Sequence, residues 1–211
     1  AQYVRAKVNG LLVRSGPGTN YSSLGSLGKG DMVTLVTKEG DWYKTRYRNR
    51  TAYVSAGASY TETVSMLMQP LDEVEQVIEH GLSPLGHPYV YGATRLHDGK
   101  GNFLKNFDSS KYDCSSLTQY IYYKGAGILL DVTTRTQVKQ GKYVARADIR
   151  RGDLMFFTNS QRYNNTGTER IGHVAMYLGD NYILHTASDH AVIEQISATR
   201  WSYYIETRRF L

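Results

Sequence analysis

One cysteine stands in 211 residues, Cys114, so no disulfide can form within the chain and the thiol is free for chemistry. It lies in Lys111-Tyr112-Asp113-Cys114-Ser115-Ser116-Leu117, where Asp113 is a good N-cap residue. Leu117, Tyr120, Ile121 and Lys124 then trace an amphipathic helix closed by Gly125 and Gly127. Cys114 is therefore expected in the first helical turn. Unpaired backbone N–H groups and the helix dipole there favour a thiolate, which lowers the pKa and raises the nucleophilic fraction. The competing reading is a buried structural cysteine, the commoner fate of a free thiol.

A nucleophilic thiol needs a base, and two histidines on consecutive strands can supply one. Ile171 to Leu178 reads as a strand, Gly179-Asp180-Asn181 as a turn and Tyr182 to Ala187 as the returning strand. With a three-residue loop, Leu178 pairs with Tyr182, Ala175 with His185 and His173 with Ala187. His173 and His185 then share one face as diagonal neighbours, roughly 7 Å apart at the backbone. A two-residue loop would shift the register by one and place them on opposite faces. The shared face suits a base, His173, whose far ring nitrogen is held by an orienting His185. Two alternatives remain open: inert strand histidines, and zinc held by Cys114, His173 and His185. The spacing lacks the short ligand pair that most zinc sites show, so no metal is expected.

The elements that must position these groups follow from the pattern around them. From about Val4 to Tyr60, short apolar runs alternate with turn residues at regular intervals, which describes a small β-barrel. Thr61 to Pro70 reads as a linker, and Leu71, Val74, Val77 and Ile78 mark a short helix up to Gly81. His80 and His87 flank its end and suit capping or surface roles. A long loop rich in Gly, Asp, Asn and Lys, holding His97, separates Pro88-Tyr89-Val90-Tyr91-Gly92 from the Cys114 helix. Beyond that helix come the polar stretch from Asp131 to Gln140 with Thr133, Thr134 and Gln137, and then strands at Leu154–Phe157, Val192–Ile196 and Tyr203–Phe210.

Composition narrows the function classes. Charged residues make up 21% and hydrophobic residues 41%, a globular balance with no run long enough to span a membrane. The net charge of +6 suits an anionic envelope as well as nucleic acid. The basic residues are spread along the chain without stacking aromatics between them, so no nucleic-acid partner is expected. No signal-peptide pattern is visible at Ala1, which leaves a cytosolic protein or a trimmed mature form.

The first segment closely resembles bacterial SH3-like domains through Leu11–Gly18, Leu27–Val33, Trp42–Thr45 and Ala52–Val54. That resemblance implies a cell-envelope context, with a barrel that binds wall peptides or shapes a neighbouring active site.

The second segment resembles the NlpC family of papain-like bacterial cell-wall cysteine peptidases. The matching pieces are Pro88–Gly92, Asp113–Ser116, Arg151–Phe157, Gly172–Gly179 and Leu184–Ser188, in the family's order. The resemblance implies Cys114 as nucleophile, His173 as base, His185 as third polar member and Tyr89 as an oxyanion-hole donor with the Cys114 N–H. It also implies that Asp113 and Ser115 hold a free L-alanine amine of the substrate, although Asp113 as a pure N-cap explains its presence equally well. Thr133 joins them as a substrate-binding candidate. The chain departs from the family pattern at Ser116 and Ala93, where glycine is usual, and in the length of the loop before Cys114.

The expected fold is α+β: an SH3-like barrel over 1–62, a linker over 63–72, and over 73–211 a papain-like domain whose Cys-bearing helix packs on an antiparallel sheet. The expected reaction is cleavage of the γ-D-glutamyl to L-diamino-acid bond of peptidoglycan stem peptides or muropeptides, without a cofactor. The rivals are an amidase cutting the glycan-to-peptide bond and a non-catalytic wall-binding protein. The expected location is the cell wall or periplasm, with cytoplasmic recycling as the alternative.

Overall fold

The computed structural model describes residues 1–187 and 189–211; Ser188, the last residue of the Leu184–Ser188 motif, lies outside the described residues. The first 65 residues form eight strands: β1 (Gln2–Ala6), β2 (Leu11–Arg14), β3 (Ser23–Leu27), β4 (Met32–Thr34), β5 (Thr37–Glu39), β6 (Trp42–Tyr47), β7 (Arg50–Ser55) and β8 (Thr61–Ser65). The helices are α1 (Asp72–Leu82), α2 (Cys114–Ala126), α3 (Thr134–Gln137) and α4 (Ala198–Ser202). Six more strands follow α2: β9 (Lys142–Val144), β10 (Leu154–Phe157), β11 (His173–Gly179), β12 (Tyr182–Thr186), β13 (Ala191–Gln195) and β14 (Tyr204–Arg209).

Five strands of the first segment form a sheet in the order β3-β2-β7-β6-β5, as the alternating apolar runs require. The other three do something the sequence did not announce. They extend the second sheet, which runs β8-β1-β4-β13-β12-β11-β10-β14-β9 with every pairing antiparallel. The join is a single pair, Ile193 with Met32. A shared core, from Val4 and Tyr47 to Leu117 and Met176, runs across it. Arg151 reinforces the contact: its guanidinium is paired with Glu75 of α1 at 2.9 Å and donates to the Tyr3 hydroxyl of β1 at 2.7 Å.

Helix α2 begins where the sequence predicts and for the predicted reason. The Asp113 carboxylate accepts from the Ser116 N–H at 2.9 Å, and the Ser116 hydroxyl accepts from the Asp113 N–H at 2.9 Å. This reciprocal cap gives Ser116 a physical role at a position where the resembled family usually has glycine. Gly127 ends the helix in the left-handed conformation at φ 68°, its N–H bonded to the carbonyls of Tyr122 and Tyr123. Helix α2 packs on β11, β12 and α1, and at Gly125 a Cβ would lie 2.4 Å from the Val77 Cα, so a glycine is needed for α1 to approach.

The hairpin carrying the histidines differs from expectation at its tip. Met176 pairs with Leu184 and Tyr177 with Ile183, as the three-residue loop predicts, but Gly179 rather than Leu178 pairs with Tyr182. The turn is therefore the two residues Asp180 and Asn181, both at positive φ (50° and 66°), the backbone of a tight hairpin turn. A bulge between Tyr177 and Gly179 takes up the extra residue and restores the register. The two-residue loop that would have separated the histidines is present, and the bulge cancels its effect.

Candidate active site

Three adjacent strands and one helix end build the site. His173 opens β11, and its Nε2 lies 2.8 Å from Nδ1 of His185 on β12. The other nitrogen of His185, Nε2, lies 2.8 Å from Oε1 of Glu194 on β13. Glu194 makes the chain of hydrogen bonds directional. Its carboxyl is held below the usual carboxylate range, first by the bond from His185, so it is ionised and can only accept. His185 must then carry its proton on Nε2 and accept at Nδ1. His173 in turn carries its proton on Nε2, which leaves the Nδ1 lone pair as the free basic site. The Cys114 thiol accepts from the backbone N–H groups of Ser115 and Val174, the latter one residue beyond His173.

The resting protonation differs from the helix-dipole expectation. Burial pushes the Cys114 thiol up to about 11, and the neighbouring Asp113 carboxylate adds to it. The N–H groups of Val174 and Ser115 and the charge of Arg95 oppose the shift without overcoming it. The reason is desolvation: Cys114 is only 9% exposed, and a thiolate loses more hydration there than the helix end returns. Burial, with His185 and Arg200 nearby, holds His173 well below the ordinary histidine value. Both shifts favour a neutral thiol and a neutral imidazole.

The rest of the site comes from the segment before α2. Val90 N–H donates to the Tyr112 carbonyl at 3.0 Å and Tyr112 N–H to the Pro88 carbonyl at 3.2 Å, so Pro88–Val90 runs alongside the approach to Cys114. This lays Tyr89 near the thiol. Burial, with the Cys114 and Asp113 charges, raises the phenol pKa, so its hydroxyl remains a donor. A cleft of about 190 Å³ is lined by Tyr89, Arg95, Asp113, Cys114, Ser115 and Thr133, with Tyr91, Gly92, Thr134, Arg135 and Gly172 completing it. Thr133 caps α3 through Thr136, their hydroxyls 2.9 Å apart, and Gln137 ties α3 to α2 by donating to the Ser115 carbonyl at 3.0 Å.

Tyr89, Asp113, Cys114, Ser115 and Thr133 thus line one cleft, His173 and His185 are bonded to each other on the strands next to it, and two neighbouring residues were missed. Glu194 carried a signal, an acid inside the apolar strand Ala191–Gln195, but its partner could be named only once β13 was known to pair with β12. Arg95 carried none. It sits in the long loop, which is ordered by an antiparallel bridge between His97 and Phe103 and by the fully buried His97 ring packed edge-on against Phe103 and Tyr123. Arg95 is paired with Asp113 at 2.7 Å and donates to the Ser115 hydroxyl at 2.8 Å. The two residues expected to grip a substrate amine therefore already hold a guanidinium. Of the remaining histidines, His80 is exposed, whereas His87 is buried rather than at the surface, its backbone bonded to Pro84 and Ala191.

Comparison with known proteins agrees with this architecture. Residues 86–209 match the NlpC/P60 family and residues 9–61 match the bacterial SH3 domain. A gamma-D-glutamyl-L-lysine dipeptidyl-peptidase of Bacillus cereus is 30% identical over 145 residues, covering 67% of this chain and 38% of that protein. A gamma-DL-glutamyl hydrolase of Bacillus subtilis is 27% identical over 190 residues, covering 87% of this chain and 40% of that protein. The chain thus spans less than half the length of either relative. The crystal structure of an NlpC/P60 family protein from Bacillus cereus superposes with a TM-score of 0.53 at 22% identity, covering all of this chain and 63% of that one, a likeness of fold. With the family match spanning more than half of its residues, the chain belongs to the NlpC/P60 family and carries a bacterial SH3 domain ahead of its α+β, papain-like domain.

Proposed function

We propose that this protein is a cysteine peptidase that cleaves the γ-D-glutamyl to L-diamino-acid bond of peptidoglycan stem peptides. The observation that carries the reading is the directional chain Glu194–His185–His173, which leaves His173 Nδ1 as the basic site, together with a lone thiol in a cleft that accepts from the N–H of Val174, the residue after His173. The names of the two relatives, both acting on glutamyl bonds, point to the same substrate class.

Because thiol and imidazole rest neutral, the thiolate forms only as substrate is attacked. His173 Nδ1 takes the Cys114 proton while Sγ bonds to the γ-carbonyl carbon of D-glutamate. The oxyanion is stabilised by the Tyr89 hydroxyl and the Cys114 N–H. Collapse breaks the C–N bond, and the proton on His173 goes to the departing amine of the diamino acid. Water then gives its proton to His173 and its oxygen to the acyl carbon, the S–C bond breaks, and the thiol regains its proton. Asp113, Ser115 and Thr133 contact the acyl side of the substrate.

On this reading residues 1–62 are the barrel, 63–72 the connection and 73–211 the catalytic unit, although β8 runs past the first bound to Ser65 and α1 begins one residue before the last, at Asp72. The substrate class implies action in the cell envelope. The test is to incubate purified peptidoglycan fragments with the protein and read product masses. A cut after D-glutamate is expected. A cut before L-alanine would make the protein an amidase, and unchanged fragments would leave a wall-binding role.

A further inference from the structure

The cleft wall beside Cys114 has a donor and acceptor inventory that can be closed completely. The Arg95 guanidinium has five N–H groups, and four are engaged: Nε to the Val132 carbonyl at 2.9 Å, Nη1 to the Ala93 carbonyl and to Asp113 Oδ2, both at 2.7 Å, and Nη2 to Ser115 Oγ at 2.8 Å. Among the described residues one Nη2 N–H has no partner. The Asp113 carboxylate has about four acceptor positions, and all are filled. Oδ1 takes the Ser116 N–H at 2.9 Å and the Ser115 hydroxyl at 3.4 Å; Oδ2 takes Arg95 and the Gly92 N–H at 3.2 Å. The side chains of Arg95 and Asp113 are only 15% and 9% exposed.

An ammonium brought to this wall finds no free lone pair, no uncompensated negative charge and a guanidinium in its place, and like charges set side by side away from water are repelled. A carbonyl oxygen finds the opposite, a fixed N–H with no other partner among the described residues. We infer that Arg95 is a specificity residue that selects stem peptides whose L-alanine nitrogen is acylated, its carbonyl accepting from Nη2, over peptides with a free amino terminus. The inference rests on the stem-peptide reading of the site. It makes the protein suited to peptides still joined to the glycan through the lactyl amide.

The test compares an L-Ala-γ-D-Glu-diamino-acid tripeptide with its N-acetyl form at about pH 6.5, where an α-amine is charged. The ratio of kcat/KM is read for the wild type, Arg95→Lys and Arg95→Ala, and the ratio of Kd on Cys114→Ala. Each ratio is taken within one preparation, so a partly unfolded variant does not distort it, and the Kd ratio decides even if neither peptide is cleaved. The wild type should favour the acetylated form by about tenfold or more, and Arg95→Ala, which frees Asp113, should lose that preference or reverse it. A wild-type ratio below about fivefold, equality included, or an unchanged ratio in Arg95→Ala, overturns the inference while leaving the hydrolytic reading intact.

Discussion

The two sides of the cleft are supported in different ways. Cys114, His173, His185 and Glu194 stand on a helix end and three adjacent strands, each fixed by a register that also buries the core. Tyr89 and Arg95 stand on irregular backbone that is held by individual hydrogen bonds and by the packing of His97. Regular structure can set the groups proposed to react to the tolerance that proton transfer needs. The loop side holds the proposed oxyanion donor Tyr89 and the proposed specificity residue Arg95, where a changed length or a changed residue can alter the site without moving the helix that carries Cys114.

Substitutions on the two sides test the roles proposed for each. Tyr89→Phe, which removes one oxyanion donor and little volume, should lower kcat by about 100-fold or more with KM nearly unchanged. A comparable rise in KM instead would make Tyr89 a binding residue. On the strand side, Glu194→Gln removes the ionised acceptor that sets the tautomers of both histidines. Loss of one charged hydrogen bond of about 1.5–3 kcal/mol should lower kcat by roughly 10- to 100-fold. The wild-type pH profile sharpens the same point. Burial holds His173 below the usual histidine value, so its basic form persists as pH falls, and the acid limb of kcat should lie below about pH 6.5.

The smallest effect concerns the junction between the barrel and the catalytic sheet. Asp31 precedes β4, the strand that joins β13, and burial, with Glu194 adding to it, raises its carboxyl to about 6. A raised carboxyl pKa means that the folded state prefers the protonated form. The resulting penalty is absent below about pH 4, the unfolded value, grows as pH rises and is complete above about pH 6. Asp31→Asn keeps an oxygen for the Gly28 N–H and removes the charge. Discounted for its solvent-exposed part, the gain should be about 1 kcal/mol at pH 8, a rise in Tm of roughly 2–4 °C, with almost none at pH 4. Equal shifts at both pH values would place its cause elsewhere.

The strand side was readable because side-chain alternation is a local property: counting residues put His173 and His185 on one face, and the bulge at Leu178 preserved that result by a route the count did not contain. Asp113 as N-cap was readable for the same reason, since a cap acts on residues three positions away. Thiol burial, the Glu194 contact and the joining of β4 to β13 all depend on which distant segments meet, which no window of sequence contains. Arg95 is the extreme case. Its position is set by a loop that folds back through His97 and Phe103, and its type, one arginine among the chain's 25 basic residues, gave no reason to single it out.

The central claim is that Cys114 attacks the γ-D-glutamyl carbonyl. Release of the free diamino acid from N-acetyl-L-Ala-γ-D-Glu-diamino acid, followed by mass spectrometry for wild type and Cys114→Ala at matched concentration, tests it most directly. The wild type should release it, and Cys114→Ala, with an unchanged circular dichroism spectrum, should lose at least about 10⁴-fold in rate. A Cys114→Ala protein that keeps a tenth or more of the wild-type rate, or a wild type that yields only a cut before L-alanine, would contradict the account.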